Sequence, residues 1–226
     1  MVYCITFYMQ TPIITTTQIH LDAVLSAVHP AMHGKEIITK QSVRESITIA
    51  PLPIDSAKIE RDWVWCCTAA DYSSDAKPYY EKITKRKDGM DYWYINSRQT
   101  PRTGVGRDRC DTIYGVLCSS VNFWASTTNE KELSRICNRV KNIGSMRKMG
   151  YGAVTGFEIA KTELNWKECL VQNSVVMRNL PCAMVQEECQ NRVYTHHPYW
   201  MPCNLNYGVE AGGRATLKSE VWLNAY

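Results

Sequence analysis

The sequence predicts an α+β fold, and three observations predict it. Two segments carry apolar residues at i, i+3, i+4 and i+7, runs rich in β-branched and aromatic residues flank them, and the order is β-α-β-β-α-β. The chain has 226 residues, enough for a sizeable core, and 45% apolar against 21% charged residues exclude a disordered chain. No apolar run approaches the roughly 20 residues of a membrane helix. The opening residues Met1-Val2-Tyr3-Cys4-Ile5-Thr6-Phe7 lack a basic n-region and a small-residue cleavage site, so secretion by that route is not expected. Ten scattered cysteines, including the adjacent Cys66-Cys67, read as reduced thiols of a cytoplasmic protein rather than a disulfide framework.

Residues 2–9 form the first strand, ended at Thr11-Pro12. Leu21, Val24, Leu25 and Val28 then lie on one face of a helix that Pro30 terminates. Strands are expected at 47–50 and 63–68, with a turn at Pro51-Leu52-Pro53 between them. Residues 73–111 read as a loop-like basic insertion with a hairpin tip at Lys85-Arg86-Lys87-Asp88-Gly89 and a second turn at 102–107. The apolar run 112–124 reads as a central strand. Asn129-Glu130-Lys131-Glu132 offers a capping box for the second helix, whose stripe is Leu133, Ile136, Cys137 and Val140, with Gly144 ending it. A last strand follows at 153–159. This order, with its insertion, is the ferredoxin-like arrangement, an antiparallel sheet backed by two helices. The division is a core of residues 1–160, including the inserted thumb 73–111, and a C-terminal extension, 161–226, with short strands near 174–178 and 218–223 and an irregular stretch at 194–213.

Charge is polarised along this order. Residues 77–109 hold nine Lys or Arg against four acids, and residues 133–152 hold Arg135, Arg139, Lys141, Arg147 and Lys148 with no acid. Each segment therefore carries +5, and the remaining twelve cations and eighteen acids leave −6. A polarised chain suits a protein that holds a polyanion on one side, while a solvated charged surface is the plainer alternative. Tyr (13) and Trp (7) outnumber Phe (3), a bias toward rings with a polar handle that suits base stacking.

The most informative segment is Gly144-Ser145-Met146-Arg147-Lys148-Met149-Gly150-Tyr151-Gly152, between a helix and a strand. A P-loop fails because Tyr151 follows Gly150 where Lys is required, and a dinucleotide fingerprint fails because the helix precedes the glycines. A backbone-amide cradle flanked by Arg147 and Lys148 could hold successive phosphates of a single strand; a flexible connection is the alternative.

At this loop the sequence resembles the RAMP superfamily of CRISPR-associated proteins. The opening strand, residues 12–25 with Ile19-His20-Leu21-Asp22, the turn Thr103-Gly104-Val105-Gly106 and the tail Pro198-Tyr199-Trp200 are similar to the type IV CRISPR subunit of the Cas-five group. The resemblance implies an RRM-like core and a non-catalytic RNA-binding subunit of a ribonucleoprotein effector complex in defence against viruses and plasmids. That subunit caps the 5′ handle of the guide RNA and touches the adjacent backbone and large subunits. The resemblance also implies that residues 73–111 form the thumb, that Arg98, Arg102, Arg107, Arg109, Arg147 and Lys148 face the handle, and that the glycine loop holds its backbone. Tyr92, Trp93, Tyr94 and Tyr151 are stacking candidates. It favours a DNA target, with contact near the flanking motif as a further expectation. Neither membrane nor cofactor is expected.

Some relatives in that superfamily cleave precursor RNA without metal, using a histidine near the first helix as general base. His20 occupies that place, and the alternatives are a metal-independent endoribonuclease or a structural histidine satisfied by Asp22 or backbone. Cys182, Cys189, His196, His197 and Cys203 have poor spacing for zinc, and dispersed carboxylates offer no two-metal site, so no metal is expected.

Overall fold

The computed structural model describes residues 1–29, 51–85, 109–199 and 201–225; the strand expected at 47–50, the hairpin tip beyond Lys85 and the turn at 102–107 lie outside them. The N-terminal elements are β1 (Val2–Met9), β2 (Ile13–Ile14), α1 (Leu21–Ser26), β3 (Ser56–Ile59), β4 (Asp62–Trp65), β5 (Asp71–Tyr72), β6 (Lys77–Lys85), β7 (Arg109–Leu117), β8 (Ser120–Ser126), α2 (Glu130–Cys137) and β9 (Val154–Lys161). Six short strands follow: β10 (Val171–Gln172), β11 (Val175–Val176), β12 (Leu180–Pro181), β13 (Arg192–Tyr194), β14 (Leu205–Val209) and β15 (Trp222–Asn224). The fold is α+β, with antiparallel sheets and few helices. No described helix is long and apolar enough to cross a membrane.

A four-stranded sheet in the order β5-β8-β1-β9 carries the main core. β1 alternates, so Ile5 and Phe7 point one way with their partners Phe123 and Val121, while Thr6 and Tyr8 point the other. The inward residues share one buried cluster with Leu21, Val24 and Leu25 of α1 and Leu133, Ile136 and Cys137 of α2, so the helical stripes read from the sequence bury where their spacing requires. On the opposite face Thr6 donates to Asn122 at 2.8 Å and Tyr8 to Glu158 at 2.7 Å.

Several expectations are corrected. The run 112–124 is not one strand but two, β7 and β8, in different sheets. The chain turns at Ser119, whose amide reaches the Asp75 carboxylate at 3.2 Å and whose carbonyl accepts from the Met9 amide at 2.8 Å. Residues 63–68 divide between two sheets: β4 pairs with β3 in a sheet ordered β15-β3-β4, whereas residues 66–68 run beside β8 and lead into β5 at the central sheet's edge. There the Ser126 amide donates to the Cys66 carbonyl at 2.8 Å and the Thr68 amide to the Trp124 carbonyl at 2.9 Å. Ala57, Val64 and Cys66 bury their side chains in a second cluster with Leu170, Val176, Leu180 and Met184 of the extension, which is what draws these strands away.

The described part of the insertion is regular rather than loop-like. β6 and β7 pair from Lys77↔Leu117 to Lys85↔Arg109, with β2 alongside β7, so the returning strand runs past the expected boundary at 111. α2 ends at Cys137, before Gly144, with Asn138 as its C-cap. Only half of the capping box forms: Asn129 accepts from the Glu132 amide at 3.1 Å, but the Glu132 side chain turns to Arg135, at 2.6 and 2.7 Å. In the extension, β11 and β15 fall at the two expected strands, and the stretch 194–213, expected to be irregular, contains β14.

Candidate nucleic-acid interface

The glycine loop has a pinned base and a free apex. At the base, Gly144 takes φ +92°, and a Cβ there would lie 2.7 Å from the Ile14 carbonyl oxygen. Ser145 clips on beside it, donating its amide and hydroxyl to that same oxygen at 2.8 Å each. Gly152 closes the other end at φ +65°; its amide donates to Pro12 at 2.8 Å and a Cβ would stand 1.8 Å from the Ile143 oxygen. Only glycine fits at these two places.

Between them Met146 adopts the left-handed conformation (φ 54°) and starts a single 3₁₀ turn, Arg147–Met149, which Gly150 ends at φ 88° in open space. The Thr11 hydroxyl donates to the Gly150 carbonyl at 2.8 Å. Arg147 and Lys148 are exposed and have no ion pair among the described residues. The apex thus displays two uncompensated cations beside exposed Met146 and Met149 on a fixed stem.

Tyr151 leaves the loop sideways. Its hydroxyl donates to Glu81 of β6, as does that of Tyr79, and the rings of Tyr79 and Tyr151 are 6.4 Å apart. The bond to a carboxylate favours the protonated phenol and pushes Tyr151 up to about 12; Glu81 is held below the usual carboxylate range by the same two donors. The loop and the β6–β7 ribbon are joined through this carboxylate.

An open groove of about 310 Å³ separates the loop from α1, lined by Thr15, Ile19, Val24, Asn142, Gly144 and Arg147 among others. His20 borders it but is only 2% exposed, lying face to face on Tyr199 with ring centres 4.7 Å apart. Burial, assisted by nearby Arg178, pulls its pKa down to about 3, so the ring is neutral near pH 7, and its Nδ1 has no hydrogen-bond partner among the described residues. Behind it, Asp22 is fully buried and accepts from the Tyr199 hydroxyl at 2.8 Å and the His197 amide at 3.1 Å, with Arg178 at 3.8 Å. Burial alone would raise the Asp22 pKa, but Arg178 and these donors outweigh it and hold it below its ordinary value. Arg178 also donates to the carbonyls of Trp65 at 2.6 Å and Thr195 at 2.7 Å. The segments Ile19-His20-Leu21-Asp22 and Pro198-Tyr199, far apart in sequence, thus meet in one buried polar knot.

Arg98, Arg102, Arg107, Tyr92, Trp93 and Tyr94 lie outside the described residues, and Arg109 opens β7. The Cys/His cluster is dispersed. Cys182 and Cys189 both donate to the Glu187 carbonyl at 3.6 Å, His196 stacks on Trp63 at 4.4 Å, and Cys203 turns to Asn204 at 3.4 Å. No three His, Cys, Asp or Glu side chains form a metal-holding group among the described residues. Two features escaped sequence reasoning. Arg178 gave only the weak sign of a cation within the apolar stretch 175–180, and Tyr80 and Tyr114, 73% and 59% exposed, sit in segments read as loop and as buried strand.

Residues 3–210 match the family model of CRISPR type IV associated protein Csf3. The chain belongs to this family. No curated protein matches the sequence. Membership in the Csf3 family makes the chain a type IV CRISPR-associated subunit, one that works with partners in a complex. The matched residues span the central sheet, the glycine loop and most of the extension that carries Arg178 and Tyr199.

Proposed function

We propose that this type IV subunit binds the guide RNA through the glycine loop and caps its 5′ handle. The observation that carries the reading is the apex residues 146–150: two exposed cations without ion-pair partners among the described residues, on a turn whose stem is fixed by glycines and backbone bonds. Such a surface takes phosphates without reading bases. The strand order β5-β8-β1-β9, with α1 between β1 and β5 in the chain and α2 between β8 and β9, supports a ferredoxin-like, RRM-like core of the RAMP superfamily and Cas-five group. Residues 1–160 are that core and residues 161–226 an extension packed on it.

In this reading the subunit is not an enzyme and acts in the cytoplasm. A general base must reach its proton and hold a pKa near the working pH, whereas His20 is covered by Tyr199 and held down to about 3. Its neighbours are the guide RNA, the backbone and large subunits and, near the flanking motif, target DNA. The test is binding of the purified protein, with its backbone partner, to guide RNA with and without the 5′ handle, on gels that also show cleavage. Handle-dependent retention of intact RNA is expected. Cleavage abolished by His20→Ala would replace this reading with the endoribonuclease.

A further inference from the structure

Tyr80 and Tyr114 face each other directly across the β6–β7 ribbon. At 73% and 59% exposure they are among the most exposed large side chains of the protein, and neither hydroxyl has a hydrogen-bond partner among the described residues. A cross-strand aromatic pair contributes about 0.2–1 kcal/mol to such a ribbon, and at this exposure most of each ring stays open to a partner.

The surrounding side chains share a character. Strand alternation places Pro78, Lys82 and Thr84 of β6, and Thr112 and Cys110 of β7, on the same side as the two rings. The ribbon's described acids, Glu81 and Asp111, fall on the other side, where Glu81 is occupied by Tyr79 and Tyr151. Among the described residues the aromatic face therefore carries a cation and hydroxyls but no carboxylate. Among the described strands β6 is the edge of the order β2-β7-β6. Tyr79, the neighbour of Tyr80, ties the ribbon's other face to the glycine loop, so a strand held at the loop reaches the two rings over the β6 edge.

We propose that Tyr80 and Tyr114 form a stacking platform for unpaired bases of an RNA strand whose phosphates are held at Arg147 and Lys148. The proposal rests on the RNA-binding reading above and adds to it where the bases go. RNA is favoured over a protein partner for two reasons. A face two strands wide is small against the roughly 800 Å² per partner of a stable protein interface, whereas one ring suffices for one base. The absence of acid among the described residues of that face suits a polyanion.

Stacking and phosphate contacts separate by salt. In the full chain with its backbone partner, Y80L/Y114L keeps apolar area but removes the π faces. It is expected to weaken binding of handle-containing guide RNA by about tenfold or more while leaving the salt slope unchanged. Y80F/Y114F is expected to bind as the unmodified protein does. Ultraviolet cross-linking of the unmodified complex, read by mass spectrometry, is expected to attach nucleotides to Tyr80 or Tyr114, and this holds even if the leucine variant folds poorly. Unchanged affinity in folded Y80L/Y114L, with binding still lost in R147A/K148A, would overturn the platform and leave the RNA reading standing. Loss of partner assembly with RNA affinity intact would make the face a protein interface and also overturn it. Failure of the unmodified protein to bind RNA would overturn both.

Discussion

Gly150 and Gly152 share a left-handed backbone but not their surroundings. A Cβ on Gly150 meets nothing within 4 Å, whereas one on Gly152 would lie 1.8 Å from the Ile143 oxygen. Gly150→Val is therefore expected to lose about 1–3 kcal/mol from the unfavourable φ alone while impairing RNA binding at the apex. Gly152→Ala is expected to lose more, since a backbone oxygen stands in the way. Thermal unfolding beside RNA titration of both variants checks this; equal loss of stability would mean that the apex is as structural as the stem. The loop's glycines were legible from the sequence, but not which were structural, because that depends on approach by Ile14 and Ile143. His20 was legible as a position but not as a state: its low pKa comes from burial, with Tyr199 stacked on the ring, and then from Arg178, both well over a hundred residues away.

Elements were legible where one period governs them. β1, α1 and α2 show their burial in their spacing and bury the side chains that spacing selects, while β9 half-buries Val154, Phe157 and Ile159 against the same core. Division of the run 112–124 was not legible, because the corner depends on Asp75 and Met9. The run expected as one strand at 63–68 likewise divides, because the extension supplies the apolar partners that claim Val64 and Cys66 while Cys67 joins the main core. At this scale the loop makes its own prediction. R147A/K148A is expected to flatten the salt dependence of guide binding by up to about two phosphate contacts, a slope of about 0.7 each for a single strand. An unchanged slope, measured across a salt series, would mean that the apex does not hold phosphates.

Across the whole molecule, the knot of Asp22, Arg178 and Tyr199 ties the extension to α1. Its pieces lie in segments that sequence reading treated separately, as a helix start and as a tail, and a buried pair leaves no periodic trace. Removing one charge strands the other, so Arg178→Met is expected to destabilise by about 3–5 kcal/mol in denaturant unfolding. A loss below about 1 kcal/mol would show that the knot does not join the two parts. The same knot sets an acid limit. His20 is held down to about 3 and His196 to about 4, against 6.5 for a free histidine, so below pH 6.5 the unfolded chain takes up protons that the native chain refuses. Stability should be fully present above pH 6.5 and fall toward pH 4 by up to about 1.4 kcal/mol per pH unit for each buried histidine. Asp22, held below its ordinary value, adds a further loss at still lower pH as it becomes protonated. Unfolding across pH 4–8 checks the sign, and His20→Gln should flatten the profile.

The most direct measurement is the affinity of the protein, assembled with its backbone partner, for guide RNA with and without the 5′ handle. The account predicts tight binding that depends on the handle, falls with salt, weakens in R147A/K148A and leaves the RNA uncut. Binding indifferent to the handle and to those two cations would contradict it.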